Sequence, residues 1–147
     1  MNKRLLCHII GNVVRVCGAL MALPIIVSLI LRSGDTMPLV LSMLIALAVG
    51  TALALIQPRR DTLRAREGFA IVAFSWIIVS FLGGLPFYFS GYVPSLVDCF
   101  FETVSGFTTT GATILTDVEA LPKGLLFWRS FTHWAGGMGV LVLSLAL

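Results

Sequence analysis

The chain has 147 residues, of which 58% are hydrophobic and 12% are charged, and its mean hydropathy is +1.00. This composition excludes a soluble globular domain and indicates an integral membrane protein. The ten Lys and Arg residues outnumber the seven Asp and Glu residues, but in such a chain basic residues report membrane topology and not nucleic-acid binding. Cys7, Cys17 and Cys99 have no CxxC spacing, so they predict neither a disulfide framework nor a metal site.

An apolar segment at 9–31 is predicted as the first membrane span. At 1.5 Å per residue of helix, it is long enough to cross a hydrocarbon core of about 30 Å. The start MNKR leads into it without a cleavage-site pattern, so we expect the span to be retained and not removed as a signal peptide. Pro24 predicts a kink within it, because proline removes a helical hydrogen bond.

A second span is predicted at 37–56, antiparallel to the first. Pro38 falls in its first turn, where a missing N–H has no cost. Small residues recur every four positions on one face, a spacing that lets membrane helices pack closely. These residues are Ser42, Ala46 and Gly50.

The strongly charged stretch QPRRDTLRARE follows at 57–67. The positive-inside rule places this loop and the N-terminus in the cytoplasm. The loop also separates two predicted domains, a two-helix hairpin at 1–66 and a second unit at 67–147. Its arginines are Arg59, Arg60, Arg64 and Arg66.

The third span is predicted at 68–89 and brings the chain to the outer side. Gly83, Gly84 and Pro86 predict that its outer end is irregular, because glycine and proline both weaken a helix interior.

The next segment, 95–106, is too short to be a span, since a helix of this length covers about half of the hydrocarbon thickness. We therefore predict a half-membrane helix. Ser95 followed by Asp98 has the spacing of a capping box, which predicts that the helix begins there.

This short helix has one polar and one apolar face. We expect its apolar face to be buried; that face carries Leu96, Phe100, Val104 and Phe107. The carboxylates of Asp98 and Glu102 have two interpretations. They add negative potential near an outer mouth, or Asp98 only caps the helix and Glu102 only hydrogen-bonds loop backbone. The cap is favoured for Asp98, and both interpretations stay open for Glu102.

The polar stretch at 107–113 lies within FFETVSGFTTTGATIL, between two apolar regions. A helix that descends from the outer side points the negative end of its dipole at the membrane centre, which stabilises a cation there. Threonine and glycine can direct successive carbonyls toward one axis, and such carbonyls replace the hydration shell of an alkali cation. The alternative is a polar hairpin that only connects two helices.

The segment 116–124 is polar and contains proline, so we expect the chain to return to the side that it left. A fourth span is predicted at 125–147, with Trp128 and Trp134 as interfacial anchors. No stop signal follows Leu147, so we expect the chain to be a fragment. The predicted fold is thus an all-α membrane protein with four transmembrane helices and one re-entrant pore helix with its loop.

Several polar or small residues of the fourth span have structural interpretations. Arg129 is expected to pair with Glu102 or Asp117, or to reach the headgroups. His133 is expected to hydrogen-bond near the outer surface. Three glycines are expected to let the span lie close to a neighbouring helix, namely Gly136, Gly137 and Gly139.

The run FFETVSGFTTTGATILTDVEALPKGLLFWRSFTHWAGGMGV resembles the first pore repeat of the Trk/Ktr/HKT superfamily of potassium transporters, in particular the TrkH/TrkG-type membrane subunits of bacteria. The first two spans resemble the extra N-terminal helix pair of that type. The resemblance implies four tandem repeats of membrane helix, pore helix, filter loop and membrane helix. It makes 67–147 the first of them, with membrane helix 68–89, pore helix 95–106, filter 107–113 and membrane helix 125–147.

The resemblance assigns the filter to Thr108, Thr109, Thr110 and Gly111, with potassium bound through the last three of these. In the plant relatives a glycine at this position is associated with potassium permeation and a serine with sodium permeation, so Gly111 favours potassium. The resemblance also implies a homodimer, a cytosolic nucleotide-binding regulatory subunit and a bacterial inner membrane location. The acidic residues expected at the outer mouth are Glu102, Asp117 and Glu119.

Potassium uptake, with this chain as one quarter of the filter, is therefore the predicted function, and potassium is cargo with no cofactor expected. The alternative is a non-conducting membrane assembly or anchoring protein in which the threonine loop is only a turn. A secondary transporter is disfavoured, because the loop has no charged coupling residue. No nucleophile, base or phosphate-loop pattern predicts an enzyme.

Overall fold

The computed structural model describes residues 3–58 and 65–146, and within these ranges every regular element is an α-helix. The all-α prediction is confirmed. The helices are α1 (Lys3–Leu20), α2 (Ala22–Leu31), α3 (Thr36–Ala54), α4 (Ala65–Phe89), α5 (Leu96–Phe107) and α6 (Lys123–Ala146). Most of the predicted arginine loop lies outside the described residues. This part is 59–64, the segment before the predicted domain boundary, and it includes Arg59, Arg60 and Arg64.

Three helical stretches in the described part of the chain are long and apolar enough to cross a membrane. They are Lys3–Leu31, Thr36–Ala54 and Glu67–Phe89, which agree with the first three predicted spans. α6 occupies the place of the fourth. It is 24 residues long but begins with Lys123 and carries Arg129 and His133, and it is not among these three stretches.

The first span is divided at Met21, where α1 ends and α2 begins. Pro24 lies in the first turn of α2 and has no N–H to give to the carbonyl of Leu20. The amide of Met21 donates to both Cys17 (3.3 Å) and Gly18 (3.2 Å), so the last turn of α1 tightens before the break. The predicted kink is thus present, three residues before the proline that causes it.

α1 and α3 pack along their small residues. Ser42, Ala46 and Gly50 are all buried on α3, as predicted. A Cβ on Gly50 would lie 2.7 Å from the backbone nitrogen of Arg15 on α1, so a larger residue there would force the helices apart.

α4 is helical through to Phe89, so the prediction of an irregular outer end was wrong. Gly83 and Gly84 are buried against α5 instead. A Cβ on Gly84 would lie 3.0 Å from the carbonyl oxygen of Cys99. The two glycines allow the half-membrane helix to pack closely against α4. The indole N–H of Trp128 donates to the Gly83 carbonyl (2.9 Å), one turn before Pro86.

Trp128 is therefore not an interfacial anchor. Its side chain is 1% exposed and lies in an apolar cluster with Met21, Phe87 and Leu125. The aromatic ring fills the space between α4 and α6, so it is not available to contact lipid headgroups. Trp134 is 62% exposed, as expected for a residue on the outer face of the bundle.

Asp35 joins the N-terminal hairpin to α6. Its side chain is only 3% exposed, and its carboxylate accepts the Leu125 amide (2.6 Å) in the first turn of α6. The hydroxyls of Ser28 (2.5 Å) and Ser33 also donate to it. A carboxylate at this place stabilises the free N–H groups and the positive end of a helix. The sequence predicted only a polar connection here.

Burial raises the pKa of Asp35, but the hydrogen bonds from Ser28, Ser33 and Leu125 lower it by more, so the pKa lies below its ordinary value. A carboxyl with a lowered pKa in the folded state stabilises that state above its unfolded pKa, and this contribution is lost as the pH falls through the lower, folded value.

We therefore expect Asp35→Asn to lower the unfolding free energy by about 2 kcal/mol at neutral pH. The difference from the parent protein should begin to shrink below about pH 4, the ordinary pKa of an aspartate, and it should vanish as the pH falls through the lower pKa of the folded state. Thermal unfolding in detergent across this range measures the effect. Asp117→Asn is the control, because Asp117 is exposed and accepts only a local bond from the Glu119 amide. A destabilisation that does not change with pH would contradict the role of the Asp35 charge.

Candidate functional site

α5 has the length and start predicted for a half-membrane helix. It has 12 residues, Leu96–Phe107, which correspond to about 18 Å. Ser95 is its N-cap, with extended backbone and a side chain that accepts the Asp98 amide at 3.4 Å. The predicted start of the helix at Ser95 is thus present, and Asp98 takes part in the cap through its backbone amide.

The faces of α5 differ in part from expectation, because Phe107 of the predicted apolar face is buried but Phe100 and Val104 are only half-buried. The buried face carries Glu102, Thr103 and Ser105, whereas Leu96 and Val97 are exposed. Each buried polar side chain has a partner, such as the Cys99 carbonyl for the Thr103 hydroxyl (2.7 Å). Polar groups at membrane depth need such partners, whereas apolar side chains need none, so the polar face turns inward.

The loop after α5 is held by its own amides. The N–H groups of Thr108, Thr109 and Thr110 each donate over 2.9 Å to carbonyls of the last turns of α5, and the Gly111 amide reaches the Ser105 carbonyl at 3.5 Å. The acceptors of the first three are Val104, Gly106 and Ser105.

These amide bonds fix the direction of the carbonyls. In a trans peptide, the N–H of one residue is antiparallel to the C=O of the residue before it, and no described peptide bond is cis. The carbonyls of Thr108, Thr109 and Thr110 therefore point away from the end of α5. None of the three accepts a hydrogen bond from any residue in the described ranges. The loop thus presents three successive unpaired oxygens.

Two residues of the loop have positive φ, Thr109 (57°) and Gly111 (77°). A β-branched residue pays about 1–2 kcal/mol for this conformation, and such strain concentrates at functional sites. The neighbouring Thr108 hydroxyl bonds the Val104 carbonyl (2.7 Å) and the Thr110 hydroxyl (2.8 Å), which holds the turn in place. No atom lies within 4 Å of a Cβ on Gly111, so φ alone calls for glycine there.

The returning part of the loop is held by α5 side chains. The Ser105 hydroxyl donates to the Ala112 carbonyl (2.6 Å). Oε1 of Glu102 accepts the Thr113 hydroxyl (2.5 Å) and the Ile114 amide (2.7 Å). Of the two interpretations of Glu102, the geometry thus favours the bond to loop backbone.

Glu102 is also the partner of Arg129, one of the three alternatives for that arginine. Nε of Arg129 lies 3.0 Å from Oε2 of Glu102, whose side chain is fully buried. Asp117 and Glu119 lie further along the loop and are exposed. His133 bonds the Arg129 carbonyl of its own helix (2.9 Å) and lies outside the loop's hydrogen bonds.

α6 lies directly against the end of α5. A Cβ on Gly136 would collide with the carbonyl oxygen of Phe107 and lie 2.7 Å from its Cα. A Cβ on Gly137 would lie 3.6 Å from the Thr109 methyl, an ordinary contact. The predicted close packing is confirmed for Gly136, whose neighbour is the residue from which the loop starts, whereas Gly139 is exposed and has no atom nearer than 3.9 Å to a Cβ.

The arrangement provides uncharged oxygen ligands at the negative end of a half-membrane helix, which suits an alkali cation. Such a helix and loop between membrane spans are typical of membrane transport proteins. The family described as "TrkH: Cation transport protein" matches residues 36–147. The chain belongs to this family, which consists of transporters, so the expectation that it is not an enzyme is confirmed.

Individual relatives agree with this assignment. "Trk system potassium uptake protein TrkH" of Salmonella typhimurium is 41% identical over 100% of the chain and 31% of its own length. "Trk system potassium uptake protein TrkG" of Escherichia coli is 32% identical over 99% and 30%. The crystal structure of the potassium transporter TrkH from Vibrio parahaemolyticus matches 99% of the chain and 32% of its own, with a TM-score of 0.92 at 36% identity. The chain therefore spans about a third of the length of these relatives.

The adjacent glycines of α6 give a matched test of the contact with α5. We expect Gly136→Ala to destabilise the protein by about 1–3 kcal/mol, because its methyl group overlaps the Phe107 backbone. Gly137→Ala should stay within about 0.5 kcal/mol of the parent, since its methyl group meets only a side chain at contact distance. Thermal unfolding of the two purified variants measures the difference. Equal stabilities would contradict the close contact between Gly136 and the Phe107 backbone.

Proposed function

We propose that the chain contributes one wall of a potassium-selective filter in a protein that takes up potassium. The observation that carries this proposal is the set of three unpaired carbonyls on Thr108, Thr109 and Thr110, which face away from the helix that binds their amides. The names of the relatives, as potassium uptake proteins, support the choice of ion.

In this proposal a potassium ion exchanges its water for backbone oxygens of Thr109, Thr110 and Gly111. The exchange is favourable because the carbonyls of Thr109 and Thr110 already face away from α5 and need no reorganisation. The end of α5 adds about half a negative charge close by. Asp117 and Glu119 raise the cation concentration at the outer mouth.

One loop surrounds only one side of an ion, so the proposal requires further walls. We assign 67–147 to the first of four filter repeats and 1–66 to a hairpin beside it. The protein would lie in the bacterial inner membrane with its N-terminus in the cytoplasm. A homodimer and a cytosolic nucleotide-binding subunit complete the proposal, and these rest on the family resemblance.

The test exchanges Gly111 for serine in the complete protein, expressed in cells that lack other potassium uptake. Serine at φ 77° is strained by about 1–2 kcal/mol, so we expect the carbonyls to shift and the potassium-to-sodium uptake ratio to fall about tenfold. Isotope or rubidium uptake against sodium uptake measures the ratio.

Gly91→Ser is the matched control. Gly91 also has a positive φ (74°) and no atom within 4 Å of a Cβ, but it lies in the connection between α4 and α5. It carries the same strain away from the loop and should keep the parent ratio. An unchanged ratio in Gly111→Ser would contradict the filter assignment and favour a loop that is only a turn.

A further inference from the structure

The Glu102 carboxylate connects three parts of the site. One oxygen, Oε1, binds the returning part of the loop through the Thr113 hydroxyl and the Ile114 amide. The other, Oε2, binds Nε of Arg129 on α6. Glu102 itself belongs to α5, so one side chain fixes the loop relative to both helices.

The hydrogen bonds to the Glu102 carboxylate are strong. The Glu102 side chain is fully buried and the Arg129 side chain is 14% exposed, so water competes little with the contact. Charge-assisted hydrogen bonds are about twice as strong as neutral ones. If a buried carboxylate loses one hydrogen-bond donor, its negative charge is poorly compensated. The three donors to Glu102 therefore reinforce one another.

The two ends of the loop are held by different means. The amides of Thr108, Thr109 and Thr110 are bound by backbone carbonyls of α5, which any sequence would provide. The other end depends on side chains, namely Ser105 for the Ala112 carbonyl and Glu102 for Thr113 and Ile114. The residues between, including Gly111, are exposed and touch little else. The spacing of the loop carbonyls thus depends on where Glu102 holds the returning end.

We propose that Glu102 and Arg129 are positioning residues for cation selectivity: neither touches the ion, but Arg129 holds Glu102, and Glu102 holds Thr113 and Ile114 and thereby sets the distances between the loop carbonyls. This inference rests on the proposed function. It assigns Glu102 a role in selectivity through hydrogen bonds to the loop, and not through its charge at the mouth.

The first test uses Thr113, which is exposed and can be changed without disturbing the core. Thr113→Val keeps the shape of the side chain and removes the hydroxyl that Glu102 accepts. It also removes the acceptor of the Leu115 amide (3.1 Å), a contact within the returning part of the loop. We expect it to lower the potassium-to-sodium uptake ratio of the complete protein by about tenfold, because the charge-assisted bond to Glu102 is lost. Thr113→Ser restores the hydroxyl and should restore the ratio. Equal ratios in the valine variant and the parent would overturn the proposal.

The second test separates the loop contact from the ion pair. Glu102→Gln should lower the ratio, whereas Asp98→Asn, which removes a negative charge one turn earlier on α5, should not. The exchange of Glu102→Arg with Arg129→Glu keeps opposite charges on α5 and α6 but replaces the acceptor facing Thr113 by a donor. We expect it not to recover the ratio. Recovery would show that the ion pair alone matters and would overturn the role of the loop contact.

Failure of this inference can be told apart from failure of the proposed function. If the parent prefers potassium and Gly111→Ser abolishes the preference, while the Glu102 and Thr113 variants keep it, only the positioning role is wrong. If the parent shows no preference, or Gly111→Ser leaves it unchanged, the filter itself is wrong and the positioning role falls with it.

Discussion

Peptide groups at membrane depth need hydrogen-bond partners, and the loop after α5 meets this requirement on one side only. Its amides bind the last carbonyls of the helix, which would otherwise also lack partners. The opposite carbonyls, on Thr108, Thr109 and Thr110, are left without donors in the described part of the chain. An unpaired carbonyl at membrane depth costs free energy unless water or a cation takes the place of a donor. The structure is therefore stable in a membrane only if this side of the loop meets water, a cation or donors from other segments.

The remainder of the structure keeps the end of α5 in one position. Gly83 and Gly84 let α4 approach one side of α5, and Gly136 lets α6 touch the Phe107 backbone on the other. Asp35 fixes the start of α6 from the N-terminal hairpin. One turn later on α6, Arg129 binds the carboxylate of Glu102, which holds the returning loop. The hairpin is thus connected to the loop through polar contacts along α6, although it lies outside the predicted repeat.

Local signals in the sequence predicted much of this arrangement. The capping pattern at Ser95, the length of α5 and the kink before Pro24 each depend on neighbouring residues, so they could be read from the chain alone. Contacts between distant residues could not. Asp35 and Leu125 are far apart in sequence, and nothing in either segment indicates the other. Trp128 was mistaken for a surface anchor, because a tryptophan near a span end has the same sequence context whether it faces lipid or another helix. Arg129 and the loop backbone were among the partners expected for Glu102, but the sequence did not predict that these contacts turn the polar face of α5 inward, because they join different segments.

The central claim is that the unpaired carbonyls of the loop bind a potassium-like cation. A crystal structure of the complete protein with rubidium, which scatters anomalously, tests this claim most directly. The account predicts an anomalous peak at a coordination distance of about 3 Å from the carbonyl oxygens of Thr109 and Thr110, lost on exchange for a medium without rubidium or potassium. A structure in which protein donors occupy these oxygens, and in which no ion lies near them, would contradict it.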